Sequence, residues 1–134
     1  MNKKLFFLPF FCIVIYSCKK TDNNSGGAGT IVQGDAIVYG HVMHHYYEIA
    51  NIKVWIKRGA TSFPGADTTL YDSYQISDSH GFVRFDKLVN GSYYFYAKGF
   101  DAVFWSNVMG YVPFSIDNKP GETKEYDVAI PVSE

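Results

Sequence analysis

The chain has 134 residues, with 12 Lys/Arg against 13 Asp/Glu and a formal net charge of −1. That length supports one domain, and the balance of charge excludes nucleic acid as a partner, which demands a basic stripe. Both cysteines, Cys12 and Cys18, lie close to the N-terminus, so the rest of the chain has no thiol with which to staple a fold.

Lys3 and Lys4 precede an apolar run from Leu5 to Tyr16, which closes on Ile15-Tyr16-Ser17-Cys18. A positive start, an apolar middle and a small residue before the cut make residues 1–17 a bacterial secretion signal. The cysteine at the cut resembles a lipobox, which implies removal of the signal and acylation of Cys18. Pro9 interrupts the run, and it is too short to span a hydrocarbon core roughly 30 Å thick. Attachment is therefore expected through lipid, where two or more acyl chains anchor stably at about 0.8 kcal/mol per buried CH₂. Residues 18–34, including Asn23-Asn24-Ser25-Gly26-Gly27, read as a polar tether with almost nothing to bury. This address is a cell envelope, the outer membrane of a Gram-negative bacterium. Lys19-Lys20-Thr21-Asp22 carries only part of a lysine-then-acid signal for surface display, so the periplasmic and surface sides both stay open.

From Asp35 to Glu134 the apolar pattern has period two, and no amphipathic helix is predicted. The first run, Ile37 to Met43, places Val38, Gly40 and Val42 on one face. Ile52, Val54 and Ile56 then alternate with Lys53, Trp55 and Lys57, as in a strand with one buried side. After a loop with Gly59, Pro64 and Gly65, a third run extends from Leu70 to Ser77. Asp78-Ser79-His80-Gly81 is a tight turn, with Asp first and Gly last as a type I turn prefers. The next strand, Gly81 to Asp86, faces Val83 and Phe85 inward; Leu88 then closes a bend, and Asn90-Gly91 tolerates positive φ. Ser92 to Lys98 puts Tyr93, Phe95 and Ala97 inward and Tyr94, Tyr96 and Lys98 outward. Two last runs, Tyr111 to Ile116 and Thr123 to Val132, flank Asn118-Lys119-Pro120-Gly121, and Pro113 places its strand at an edge. Seven short strands with turns between them predict an all-β, antiparallel β-sandwich. Phe114, Ile116, Tyr126, Val128 and Ile130 complete its expected core.

The stretch from Val38 to Ala97 resembles the carboxypeptidase regulatory-like domains, a group close to transthyretin and to the B-type repeats of collagen adhesins. The resemblance is carried by Gly40-His41-Val42, by Ile52-Lys53-Val54-Trp55-Ile56, and by the block Asp78, Gly81, Phe85, Leu88 and Gly91-Ser92-Tyr93. It implies a seven-stranded Greek-key sandwich of transthyretin (prealbumin) type and a non-catalytic module that acts beside something else. The loop Gly59 to Asp67 is longer than the family usually has. Hydroxyisourate hydrolases of this fold end in Tyr-Arg-Gly-Ser, whereas this chain ends Ala129-Ile130-Pro131-Val132-Ser133-Glu134. The His-x-His element of intradiol dioxygenases is replaced by His41-Val42-Met43-His44-His45, and residues 35–46 lack the lysine of an adhesin isopeptide crosslink.

Two residue groups carry candidate chemistry. Tyr39, Trp55, Tyr94 and Tyr96 fall on the outward side of the alternation and predict a contact surface for an envelope protein or a glycan. The plainer reading is that Tyr and Trp simply pair well across strands. His41, His45 and Glu48 offer two imidazoles and a carboxylate to zinc or copper; His44, adjacent to His45 on an extended chain, is expected to face the other way. The plainer reading there is polar residues leaving a strand for a loop. Ser79 beside His80 is no triad, and one carboxylate is too little for calcium. Phe63 in the long loop either meets a partner or folds back on the sandwich. The expected protein is a lipid-anchored, non-enzymatic binding or assembly module with no cofactor. Its rival is a metal-dependent envelope enzyme built on His41, His45 and Glu48.

Overall fold

A computed structural model describes residues 34–134 of the chain; the expected signal 1–17, the expected acylation site Cys18 and all of the expected 18–34 tether except Gly34 lie outside the described residues. Among the described residues the fold is all-β, with eight strands and one 3₁₀ turn at Thr68–Leu70. The strands are β1 (Ala36–His44), β2 (Tyr47–Glu48), β3 (Lys53–Arg58), β4 (Ser73–Ile76), β5 (Phe82–Leu88), β6 (Gly91–Asp101), β7 (Ser106–Ile116) and β8 (Lys124–Val132). No helix among the described residues is long and apolar enough to cross a membrane.

Alternation does what the pattern requires. β1 buries every second residue from Ala36 to His44, and β3 buries Val54 and Ile56 between exposed or half-buried neighbours. Val83 and Phe85 on β5, and Tyr93, Phe95 and Ala97 on β6, complete the centre of one apolar core. Phe114 and Tyr126, expected inside, are only partly buried and pack against its edge, whereas Ile49, Val108 and Val132 join it.

Two sheets enclose that core. In the first, β1 is central, with β8 along one side and β5 along the other; β2 continues the β5 side past His41. In the second the order is β4-β3-β6-β7, all antiparallel. Pro113 accordingly sits on an outer strand, where a missing N–H is tolerated.

The β8 pairing departs from the antiparallel expectation. β8 runs parallel to β1, from Ala36 opposite Lys124 to His44 opposite Val132. The cause is the loop 117–123, which carries the chain from β7 to the other sheet so that β8 starts at the same end as β1. β6 and β7 also outrun the expected bounds, reaching Asp101 and beginning at Ser106. The extra strand β2 is two residues long.

These directions define two ends. Gly34 enters beside Lys87, and β1 leads from there to His44, roughly 27–30 Å away at about 3.3 Å per residue. The far end is built from the β1–β2 turn (His45, Tyr46), the β6–β7 tip (102–105) and the residues following β8.

Candidate functional site

The four aromatics expected to form one surface are divided by the fold. Tyr39 lies on β1 in the first sheet, with the Arg84 guanidinium 5.7 Å from its ring centroid. Trp55, Tyr94 and Tyr96 lie on β3 and β6 in the second sheet.

Tyr96 does point to the outer face, yet it is fully buried. The loop 59–72 folds back across it. Tyr71 stacks on Tyr96 at 5.6 Å and 24°, Phe63 tilts against it at 5.6 Å, and Trp55 stacks from the side at 5.7 Å. Phe63 also lies face to face with Tyr111, 4.1 Å apart and 11° from coplanar. Asp72 pins the loop by accepting from the Lys57 ammonium at 2.8 Å and the Arg58 N–H at 2.7 Å. Asp67 caps the 3₁₀ turn through Thr69. Burial pushes the Tyr71 phenol up to about 12, aided by neighbouring Tyr96. The aromatic set is thus largely a second, outer core, and Trp55 and Tyr94 are half-buried at its margin.

The metal candidates His41, His45 and Glu48 do not converge. His41 faces outward on β1, packed on Phe82 at 4.2 Å with Nε2 3.6 Å from Asp127. His44 is the histidine that joins His45, contrary to the expectation from an extended chain. His45 has φ 54°, a left-handed turn residue, so the alternation ends there and its ring swings back to stack on His44 at 4.3 Å.

His44 is 1% exposed and occupies an inward position at the end of β1. Its Nδ1 meets Asp101 Oδ2 at 2.7 Å, and Asp101, the last residue of β6, is equally buried. Burial pushes the Asp101 carboxyl up, but hydrogen bonds from His44 and from the Val103 and Phe104 N–H groups outweigh it and hold the group below the ordinary carboxylate range. With Asp101 ionised, His44 donates from Nδ1. Among the described residues its Nε2 has no hydrogen-bond partner, and the carboxylate oxygen Glu134 Oε1 is 3.5 Å away.

Around this pair the far end is apolar and exposed. Tyr46 is 92% exposed, Trp105 79% and Val103 74%, with Tyr47, Phe100 and Phe104 also open. Phe104 packs edge-on against His44 and His45 and approaches Tyr47 at 5.9 Å, so the two tips form one continuous surface. Trp105 holds φ 54°, and Phe100 braces its indole edge-on at 5.3 Å. Asp101, Phe104, Trp105 and Glu134 were not among the residues expected to act. One signal marked the first three: Ala102-Val103-Phe104-Trp105 is an apolar run with no glycine or proline, directly after Asp101.

No family model matches the chain, and no curated protein matches it. Solved structures do. A putative carbohydrate-binding protein from Pseudomonas aeruginosa superposes with a TM-score of 0.51 at 12% identity, covering 74% of this chain and 89% of that one. The major pilin subunit of Bacillus cereus gives a TM-score of 0.46 at 9% identity, covering 75% of this chain and 31% of the pilin. The likeness is one of fold. The chain spans less than a third of that pilin's length.

Proposed function

We propose that this protein is a lipid-anchored, non-catalytic binding module of a bacterial cell envelope, and that it meets its partner with the far end of the sandwich. One observation carries the reading. Tyr46, Val103 and Trp105 stand exposed on two adjoining tips, at the end opposite Gly34. Exposed aromatic groups on rigid elements are what interfaces use as anchors. His45 and Trp105 each hold a left-handed backbone that costs a non-glycine residue roughly 1–2 kcal/mol, and such costs gather where a side chain must be aimed.

Acylation of Cys18 belongs to the same reading: a tether at one end presents the other end away from the membrane. The β6–β7 tip, Ala102-Val103-Phe104-Trp105, is apolar throughout, which favours an envelope protein over a glycan.

A photo-crosslinking amino acid at position 105 in the full lipoprotein, irradiated in its own cells, tests this. A discrete protein adduct from 105, absent when the crosslinker replaces Asp86, is expected. Adducts from 86 alone would move the contact face to the first sheet. Binding of purified envelope oligosaccharides that Trp105→Ala abolishes would keep the face and change the partner to a glycan.

A further inference from the structure

We propose that His44, His45 and Glu134 form a binding site for one divalent ion of the zinc class, with Asp101 as the outer partner that orients His44. The inference is independent of the contact face argued above.

The strongest observation is an orphaned atom. His44 Nε2 is buried and has no hydrogen-bond partner among the described residues, an unusual state for a ring nitrogen held so firmly by its other side. Asp101 occupies Nδ1, so Nε2 is the ring nitrogen left for a ligand bond. The Glu134 carboxylate oxygen Oε1 stands 3.5 Å from it. A cation held between Nε2 and that carboxylate satisfies both.

His45 supplies the third ligand. One donor atom from each of His44, His45 and Glu134 falls within a mutual 4.8 Å. Tetrahedral ligands about 2.0–2.1 Å from zinc lie roughly 3.3 Å apart, so closure needs a shift of the order of 1 Å. The exposed side chains can make it: His45 and Glu134 are both open, while His44 stays fixed. The carboxylate–histidine arrangement of Asp101 and His44 is the one that metal-ligating histidines use to fix ring orientation. Phe104, against both imidazoles at 5.1 and 5.0 Å, shields them from water on one side.

Two imidazoles and one carboxylate select zinc or copper over calcium or magnesium, which take oxygen. A fourth position is left for water. The ion would tie the β1–β2 turn to the segment after β8 and stiffen the far end.

Titration of the purified full chain with Zn²⁺, and with Co²⁺ for its tetrahedral absorption, tests the site. One equivalent bound at micromolar concentration or tighter is expected, with a rise in melting temperature. His45→Ala and Glu134→Gln should each weaken binding at least tenfold, and Glu134→Gln should leave the metal-free melting temperature unchanged, because its side chain is exposed. Asp101→Asn should weaken it 10- to 100-fold. His41→Ala and Trp105→Ala should leave it unaltered, so loss of partner binding and loss of the ion are told apart. No uptake, or uptake indifferent to His45→Ala and Glu134→Gln, overturns the proposal.

Discussion

His44 at the end of β1 and Asp101 at the end of β6 join the two sheets through one buried hydrogen bond of 2.7 Å. Each residue belongs to a different sheet, so the bond is a crosslink at the end of the sandwich that carries the exposed aromatics. Breaking it leaves the other partner buried without a mate, which is costlier than the bond itself is favourable. Asp101→Ala is expected to lower stability by roughly 2–4 kcal/mol, and His44→Ala by a similar amount. Denaturant unfolding of the two single variants and the double variant checks this. The double variant should lose less than the sum of the two.

The same pair sets an acid limit. Asp101 has a carboxyl held below its ordinary value in the folded state, so the folded protein keeps the charge where the unfolded chain would take up a proton. Its contribution is fully present above the unfolded value near 4 and is lost as pH falls through the lower folded value. Asp67 and Asp78 are depressed too, by the Thr69 hydroxyl and N–H and by the Phe82 and His80 N–H groups respectively. Melting temperature should therefore drop steeply below about pH 4. The drop should be shallower in Asp101→Asn.

Tyr96 gives a prediction of the opposite sign. Its ring is enclosed by Trp55, Phe63 and Tyr71, and its hydroxyl is buried with no partner among the described residues. Tyr96→Phe removes an unsatisfied polar atom and keeps the packing. It should be neutral or stabilise by about 0.5–2 kcal/mol. Tyr96→Ala empties the outer core and should cost about 3–5 kcal/mol. Calorimetry on both variants separates this from a surface role, for which neither change would matter.

Alkali should open the same layer. Burial raises Tyr71 from 10.0 to about 12, so the folded state resists losing that proton while the unfolded chain does not. The stability it contributes is present below pH 10 and lost as pH rises through the folded value. Ultraviolet titration should show at least one tyrosine ionising late, with loss of structure. Phe63→Ala, which uncovers the stack, should move that step downward.

Much of the sandwich was legible because period-two alternation reports one buried face per strand. Val38 and Val42, Val54 and Ile56, Val83 and Phe85, and Tyr93 and Phe95 all face the core as the pattern demands. The Asp78–Gly81 turn was legible for a local reason: Asp78 accepts from the His80 and Phe82 N–H groups, and Gly81 takes φ 75°. What failed was non-local. Alternation tells that Tyr96 leaves the core, but not that a loop twenty-five residues earlier returns to cover it. It says nothing of strand partners, so the parallel match of β8 to β1 was invisible. His45 and Trp105 adopt left-handed turns without glycine or asparagine, and those two turns are what build the far end.

Gly110 tests how tightly the sandwich closes along its side. β7 is the outer strand of one sheet and β8 of the other, and they meet where Met109 and Ser133 form a bridge. A Cβ on Gly110 would collide with the carbonyl oxygen of Pro131 and stand 2.9 Å from the Val132 Cα. These are backbone atoms, which cannot rotate away as a side chain does. Gly110 has no positive φ, so the glycine is required by close approach and not by conformation. Gly110→Ala must then push β8 outward or break the Met109–Ser133 bridge. A loss of roughly 1–3 kcal/mol is expected, the usual cost of overpacking. Because β8 leads directly to Glu134, the same variant should also weaken Zn²⁺ binding while leaving the distant Tyr96 stack intact. Amide exchange should show the damage confined to β7, β8 and the residues after them.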